Sequence, residues 1–520
     1  MTNRLSMLAL VVMLGLGGCA GLPSGVQRAP SQARHDVADT SLAQIAAQST
    51  PEAQQALSGF RLLPDGAQAL EARIALAQRA AKSLDLQYYQ LAHDRSGWQL
   101  LRALRDAAAR GVRVRLLVDD LYAAGQDAML AGLAALPNVE VRMFNPLPVR
   151  DAGFATRIVL SLHQFARINR RMHNKLFVAD NRIAITGGRN IADEYFGRAD
   201  AVNFIDLDTL ATGPAVAELS AAFDGYWNSE HVYPIAALQA AGFDPAAATQ
   251  AFSSAADAVV FDPALATTDA LGRSGVAQQL AEGRLALLFA PAQVLADAPA
   301  KADERGPGAD GAVAHRHAEL VSTAREEVLI ASPYVVPAAS SVTAIKAALL
   351  NKVHYKLITN SISTTDEPLV HAGYAKHRMA LLKMGVKLYE LMPLAQRAAA
   401  RDDAAPRGSA SVGRLHAKLA VVDRRFLFIG SMNLDHRSAR SNTEAGLVID
   451  SPALAAEVAG LLQRDRLPES YRLRLADDGR IEWISQHAGA EVVHRDEPHL
   501  TVAQSLKQWL GQQLVDEELL

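Results

Sequence analysis

One nineteen-residue pattern occurs twice in this 520-residue chain, and nothing else in the sequence constrains its fold as strongly. Residues 172 to 190 read MHNKLFVADNRIAITGGRN, and residues 415 to 433 read LHAKLAVVDRRFLFIGSMN. Both follow H-x-K-x4-D-x6-G-[GS]-x-N. If each fixed position matches at roughly 1 in 20, five agreements arise by chance about once in three million starts, so two copies mean an internal duplication. The flanking sequence repeats as well. In the first half, helical composition over Leu70 to Ala81 leads to a strand at Ser83 to Tyr89. A helix over Trp98 to Arg110, ended by Gly111, then leads to buried strands at Val112 to Val118 and Val139 to Phe144. In the second half, strands at Glu327 to Ser332, His354 to Thr359 and Val386 to Glu390 alternate with helices at Val342 to Asn351 and Ala375 to Met384. The expected class is α/β, with two similar lobes, each a mixed, mostly parallel sheet flanked by helices.

A chain of this length exceeds one ordinary core, which agrees with two fused lobes. The first lobe is expected at 60–232, a connecting segment at 233–282, and a second lobe with a C-terminal extension at 283–520. Within the second lobe, Lys301 to Val313 and Ala398 to Gly413 read as loops, the latter bordering a substrate entrance. Ser505 to Leu520 has amphipathic helical character and is expected to pack on the body, with contact to the membrane as the alternative.

The N-terminus has a different logic. An apolar run from Leu5 to Leu16 follows Arg4 and ends at Gly17-Gly18-Cys19, too short to span a bilayer as a helix. Small residues before the only cysteine resemble a bacterial lipoprotein signal. The resemblance implies cleavage after residue 18, acylation of Cys19, and a tether at 19–59 rich in Ala, Ser, Gln and Pro. Ala20 after the cysteine resembles lipoproteins of the outer membrane, facing the periplasm.

Each motif places an imidazole and an ammonium on one face of an extended segment: His173 with Lys175, and His416 with Lys418. A lone His-x-Lys on a strand is more often a satisfied core pair than a catalyst; the duplication reverses that order. Two histidines at one phosphorus permit a double displacement, in which a neutral imidazole attacks while a protonated one gives its proton to the leaving alcohol. Lys175 and Lys418 would offset charge on the phosphoryl oxygens, a role that metals fill elsewhere, so no metal or other cofactor is expected. Each imidazole needs a carboxylate at its other nitrogen. SNTEAGLVID offers Glu444 in the second half and NFIDLDTLAT offers Asp206 in the first. Asn190, Asn433, Ser431 and the turn at Gly188 are candidates to bind the substrate phosphate. Asp180 and Asp423 complete the motif and stand with the catalytic candidates, although their place at the far end of the strand points to a turn-fixing role. The formal charge of −3 gives no global attraction to polyanions, which disfavours nucleic acid as a partner.

Paired H-x-K-x4-D motifs resemble the phospholipase D superfamily. Finer features are similar to its C-type bacterial cardiolipin synthases: SLDLQYYQLAHDRSG near residue 83, RGVRVRLLVDD near 110, VRMFNP near 141, and TNSISTTDEPLVHAGYAKHR from 359. The resemblance implies two lobes related by a pseudo-twofold, with one active site at their interface and a phosphohistidine intermediate. It implies His173 as nucleophile and His416 as general acid and base. It further implies phosphatidylglycerol as acceptor and phosphatidylethanolamine as the donor. Hydrolysis by the same intermediate, as a phospholipase D or less readily a nuclease, stays open from these residues. So does a silent lipid-binding lipoprotein, against which both intact His-Lys pairs argue.

Overall fold

The computed structural model describes residues 21–150, 152–261, 268–303, 310–393, 413–487 and 490–500. The leader with Cys19, residues 304–309 of the Lys301 to Val313 loop, residues 394–412 before the second motif and the C-terminal Ser505 to Leu520 lie outside the described residues.

Two sheets carry the two halves. The strands of the first are β1 (Ser58–Leu63), β2 (Ser83–Tyr88), β3 (Arg113–Asp119), β4 (Val139–Phe144), β5 (Leu176–Ala179) and β6 (Ile183–Gly187). A short β7 (Asn203–Ile205) stands apart, and β8 (Asp208–Thr212), β9 (Val232–Pro234) and β10 (Leu288–Ala290) complete that sheet. The second contains β11 (Ala292–Ala296), β12 (Glu327–Ala331), β13 (His354–Asn360) and β14 (Lys387–Leu391). After β15 (Gly413–Leu415), which pairs with β7 outside both large sheets, come β16 (Leu419–Val422), β17 (Phe426–Gly430), β18 (Ala445–Asp450), β19 (Ser470–Leu475), β20 (Ile481–His487) and β21 (Ala490–His494).

The duplication is exact in topology. The order β1-β8-β6-β5-β2-β3-β4-β9 recurs as β11-β18-β17-β16-β12-β13-β14-β19. The expectation of mostly parallel strands needs correction: within the two large sheets only β2-β3-β4 and β12-β13-β14 run parallel, and their neighbours are antiparallel. The reason is connection length. Helical crossovers join the parallel strands, whereas three-residue turns join β5 to β6 and β16 to β17 and force antiparallel pairs.

Within each motif strand the side chains alternate between two cores. Leu176 and Val178 join Leu419 and Val421 in a core shared by both lobes, while Phe177 faces the helices of the first lobe and Ala420 those of the second. The lobes therefore meet sheet against sheet, and burial of this shared face holds them together.

Two boundaries differ from expectation. Residues 19–59 are no simple tether: the helix Ser41–Ser49 buries Leu42 and Ile45 in the first core, capped by Thr40. Ahead of it, Arg28 donates to Val232 O (2.6 Å) and Ala33 N to Asp224 Oδ2 (2.8 Å). The expected connecting segment 233–282 also belongs to the first lobe, since its helix Pro245–Asp257 packs against Asp127–Ala134. The chain changes sheets only at Pro291, between β10 and β11.

Candidate active site

The motif segments reach the lobe interface beyond the carboxyl ends of the parallel strands, where open α/β sheets place their ligands. The last residues of those strands hold them. Asp119, ending β3, accepts from Met172 N (2.8 Å) and pairs with buried Arg171; Asn360, ending β13, accepts from Leu415 N (2.8 Å) and donates to Leu415 O (2.9 Å). Both anchors grip the residue just before the motif histidine.

Each histidine then crosses to the other lobe. His173 N donates to Thr443 O (2.9 Å), and His173 Nδ1 lies 3.0 and 3.1 Å from the two Glu444 oxygens. His416 N donates to Ile205 O (2.8 Å), and His416 Nδ1 lies 2.7 Å from Asp206 Oδ2. β15 pairs in parallel with β7 to make that crossing, so closely that a Cβ on Gly413 would fall 1.1 Å from Asn203 O. Both proposed carboxylates thus serve an imidazole, each that of the opposite lobe. With Nδ1 of each ring turned to its carboxylate, Nε2 is the nitrogen left for chemistry, beside Lys418 Nζ in the case of His416. His173 and His416 line a single cavity of about 730 Å³.

The lysines lie behind the rings. Lys175 Nζ donates to His173 O and Lys418 Nζ to His416 O, each at 2.6 Å, and Lys418 Nζ is also 3.1 Å from both His416 ring nitrogens. Burial takes Lys175 down to about 7 and Lys418 to about 8. Burial, then the neighbouring lysines, hold His173 well below the usual histidine range. Burial and Lys418 take His416 to about 4, with Asp206 opposing them. The carboxylates differ. Burial raises Glu444 to about 7 despite Lys175 and the Ser431 hydroxyl, whereas the His416 contact overcomes burial and keeps Asp206 below the usual carboxylate range. An ionised Asp206 favours a proton on His416; Glu444 does less for His173. The two imidazoles are therefore electrostatically unequal.

Asn190 and Asn433 line the cavity, and the amide oxygen of each is buried without a partner among the described residues. Asn190 Nδ2 bonds Tyr195 Oη (2.8 Å); turned over, the same amide accepts from Tyr195 and offers its NH₂ to a phosphate.

Four expectations are corrected. Asp180 and Asp423 are absent from the cavity. Asp180 accepts from Ala81, Lys82 and Ser83 N, and Asp423 from Arg325, Glu326 and Glu327 N, each at φ near +50° in the turn at the strand's far end. They tie the motif hairpin to the start of β2 or β12. Replacing Asp180 by Asn, which tolerates that backbone, removes about 2–3 kcal/mol of charge-assisted bonding. A Tm lower by several degrees with kcat changed less than threefold is the expected outcome, read by calorimetry and initial rates. Gly188 is not among the cavity-lining residues either: a Cβ there would meet Asp206 Oδ1 at 2.1 Å, so glycine makes room for the carboxylate. Ser431 spends its hydroxyl on Glu444. The Gly/Ser difference between the motifs follows from what each must accommodate.

The aromatic walls escaped the sequence reading. Tyr89 packs edge-on to His173 (4.9 Å between ring centres), and Tyr195 and Phe204 pack on His416 (5.0 and 4.9 Å). Tyr89 sits one residue past β2 and Tyr195 five past Asn190, positions that alternation alone leaves unremarkable. Charged groups of both signs also line the cavity: Arg414 and Arg437, and Glu194, Asp366, Glu367 and Asp435.

Comparison with known proteins agrees with this geometry. A family model described as "Cardiolipin synthase, PLD-like domain" matches residues 73–227 and 318–466, one match per lobe. Cardiolipin synthase C of Escherichia coli (strain K12) is 36% identical over 441 residues, covering 83% of this chain and 89% of that protein. Cardiolipin synthase A of Pseudomonas aeruginosa (strain UCBPP-PA14) is 28% identical over 429 residues, covering 82% and 70%. The crystal structure of phosphatidylserine synthase from Haemophilus influenzae Rd KW20 superposes with a TM-score of 0.54 at 15% identity, over 91% of this chain and 99% of that one, a likeness of fold. The duplicated motif, the repeated strand order and these matches establish that this chain belongs to the phospholipase D superfamily, in its cardiolipin synthase family.

Proposed function

We propose that this phosphatidyltransferase moves a phosphatidyl group from one phospholipid to the glycerol headgroup of phosphatidylglycerol, forming cardiolipin or a related lipid through a phosphohistidine. The observation that carries the reading is the pair of crossed imidazole–carboxylate contacts opening on one cavity. In the first step His173 Nε2 attacks phosphorus, the bond to the headgroup oxygen breaks, and His416 gives that oxygen its proton. In the second, His416 takes the proton of the acceptor hydroxyl, its oxygen attacks phosphorus, and the phosphorus–nitrogen bond breaks.

The cavity's charges support a zwitterionic donor. Asp366 acts electrostatically on His416 and Lys418, while Arg437 acts on His173. An ethanolamine ammonium on the leaving-group side would find Asp366 there, which favours phosphatidylethanolamine. Acyl chains remain in the bilayer throughout, because withdrawing them costs about 0.8 kcal/mol per methylene, hence about 20 kcal/mol for two ordinary chains. Acylation of Cys19 would keep the enzyme at such a surface, on the periplasmic side of the outer membrane. Palmitate labelling that disappears in Cys19→Ser is the expected result, and unchanged labelling would remove the anchor from this scheme.

The deciding experiment is the product profile of the full chain in mixed micelles of phosphatidylethanolamine and phosphatidylglycerol, with chelator and no added metal. Cardiolipin is expected; phosphatidic acid alone would make the protein a hydrolase. The lysines supply the charge that stabilises the phosphoryl oxygens, so Lys175→Ala or Lys418→Ala should lower kcat by about 10²–10³-fold. An arriving phosphodiester anion also raises the pKa of any nearby cation, so binding a non-reactive analogue near pH 8 should take up a proton at Lys175. Titration calorimetry in buffers of different ionisation enthalpy measures this, and the uptake should shrink in Lys175→Ala.

A further inference from the structure

The segment Phe154–Ile168 is built inside out. It runs as a helix (Phe154–Ser161), a tight turn (Leu162–Gln164) and a short helix (Phe165–Ile168). Arg157, the one formally charged residue of the first helix, is buried, donating to the Asp120 carboxylate (2.5 Å) and to Val149 O (3.0 Å). Arg167 likewise turns back to Pro146 O (2.9 Å). What faces outward is apolar: Phe154, Val159, Leu160, Leu162 and Phe165 are 46, 61, 48, 50 and 43% exposed. Between residues 153 and 166 no exposed side chain carries a fixed charge, and His163 is the only exposed titratable group. Ordinary protein surfaces scatter exposed apolar residues singly; five within twelve positions mark an interaction face.

This face continues into the active-site cavity. The Phe154 ring stacks on Tyr122 (5.8 Å between centres, 4° between planes), and Tyr122 and Leu121 line the cavity wall. Leu369, 48% exposed, lines it from the second lobe together with Val370. The apolar surface thus borders the opening through which substrate must reach the histidines.

We infer that Phe154–Ile168 is the face by which the protein docks on a phospholipid bilayer, lying flat in the headgroup region and setting the cavity mouth against the lipid surface. The inference rests on the proposed phospholipid chemistry: only a bilayer offers both the substrate for the cavity and an apolar phase for the side chains beside its mouth. Because no fixed charge is presented, docking is an apolar insertion of the kind seen for interfacial helices, largely insensitive to salt.

The test uses the single cysteine of the chain. In a Cys19→Ser background, a cysteine is introduced by Leu162→Cys, or by Leu350→Cys as control, and labelled with an environment-sensitive fluorophore. Leu350 is 83% exposed and ends the helix preceding β13, at the opposite end of the sheet from the cavity. Phosphatidylcholine vesicles should raise the emission of the 162 label at least twofold with a blue shift, retained in 1 M salt, and leave the 350 label unchanged. In parallel, the triple variant Val159→Ser, Leu162→Ser, Phe165→Ser should lose at least tenfold in activity on vesicles. It should keep wild-type turnover of short-chain phosphatidylethanolamine and phosphatidylglycerol dissolved together as monomers. No vesicle response at 162, or equal responses at both positions, would overturn the inference. A response to protein concentration alone, with a doubled mass in sedimentation, would overturn it in favour of a second copy. Failure of the wild type on the short-chain substrates would instead count against the phosphatidyltransfer reading, while the fluorescence would still decide the docking.

Discussion

Turnover of the His173→Ala variant should fall by something on the order of 10⁶-fold, the loss that follows removal of a covalent nucleophile in other enzymes. His416→Ala should behave differently, because an acid is dispensable when the leaving group needs no proton. With natural lipids its rate should drop about 10²–10⁴-fold, and a p-nitrophenyl phosphodiester should restore much of it. An alkaline quench should trap phosphatidyl-enzyme in His416→Ala and none in His173→Ala; the opposite pattern would exchange the two roles. Melting curves belong beside these rates. Losing His416 takes from Asp206 the contact that outweighs its burial, whereas losing His173 leaves Glu444, whose pKa near 7 lets it accept a proton. The first variant should therefore be the less stable, by about 1–3 kcal/mol for a buried group left without its partner.

Substituting the orienting carboxylates should reproduce these phenotypes crosswise. Asp206→Asn, a change in the first lobe, should copy the loss of His416: about 10³–10⁴-fold slower, by analogy with the orienting aspartate of serine proteases, and rescued by the good leaving group. Glu444→Gln, in the second lobe, should copy the loss of His173, with little covalent intermediate and no rescue. Contacts of 2.7 Å from His416 to Asp206 and 3.0 Å from His173 to Glu444 set this expectation. Carboxylates acting within their own lobes would give the reverse pairing, which rates on the two leaving groups would reveal.

Much of this was readable from residues alone, for a physical reason. The strands at Ser83, Val139, Glu327 and His354 and the helices between them follow from apolar periodicity, and Gly385 closes its helix with φ at +102°, as glycine after a helix should. The motif histidines and lysines stood out because a duplicated pattern of functional groups is improbable unless chemistry retains it. Pairing across the lobes was not legible, since strand position says which residues lie near an interface but not which partner lies opposite. The role of residues 28–33 was hidden for another reason: several of their contacts run through backbone atoms such as Ala29 O and Ala33 N, which leave no trace in side-chain pattern. The outward apolar face at 154–165 was missed because a helix with a hydrophobic stripe reads the same whether the stripe covers a core or meets lipid. Only the buried Arg157 shows which way it turns.

The exchange of carboxylates between halves has a bearing on safety. A catalyst able to cut membrane lipids is dangerous to the cell that makes it while still half-folded. Because each imidazole meets its carboxylate only across the interface, a nascent or partly unfolded chain lacks both oriented pairs, and on the proposed chemistry it should be inert until the two halves close on each other.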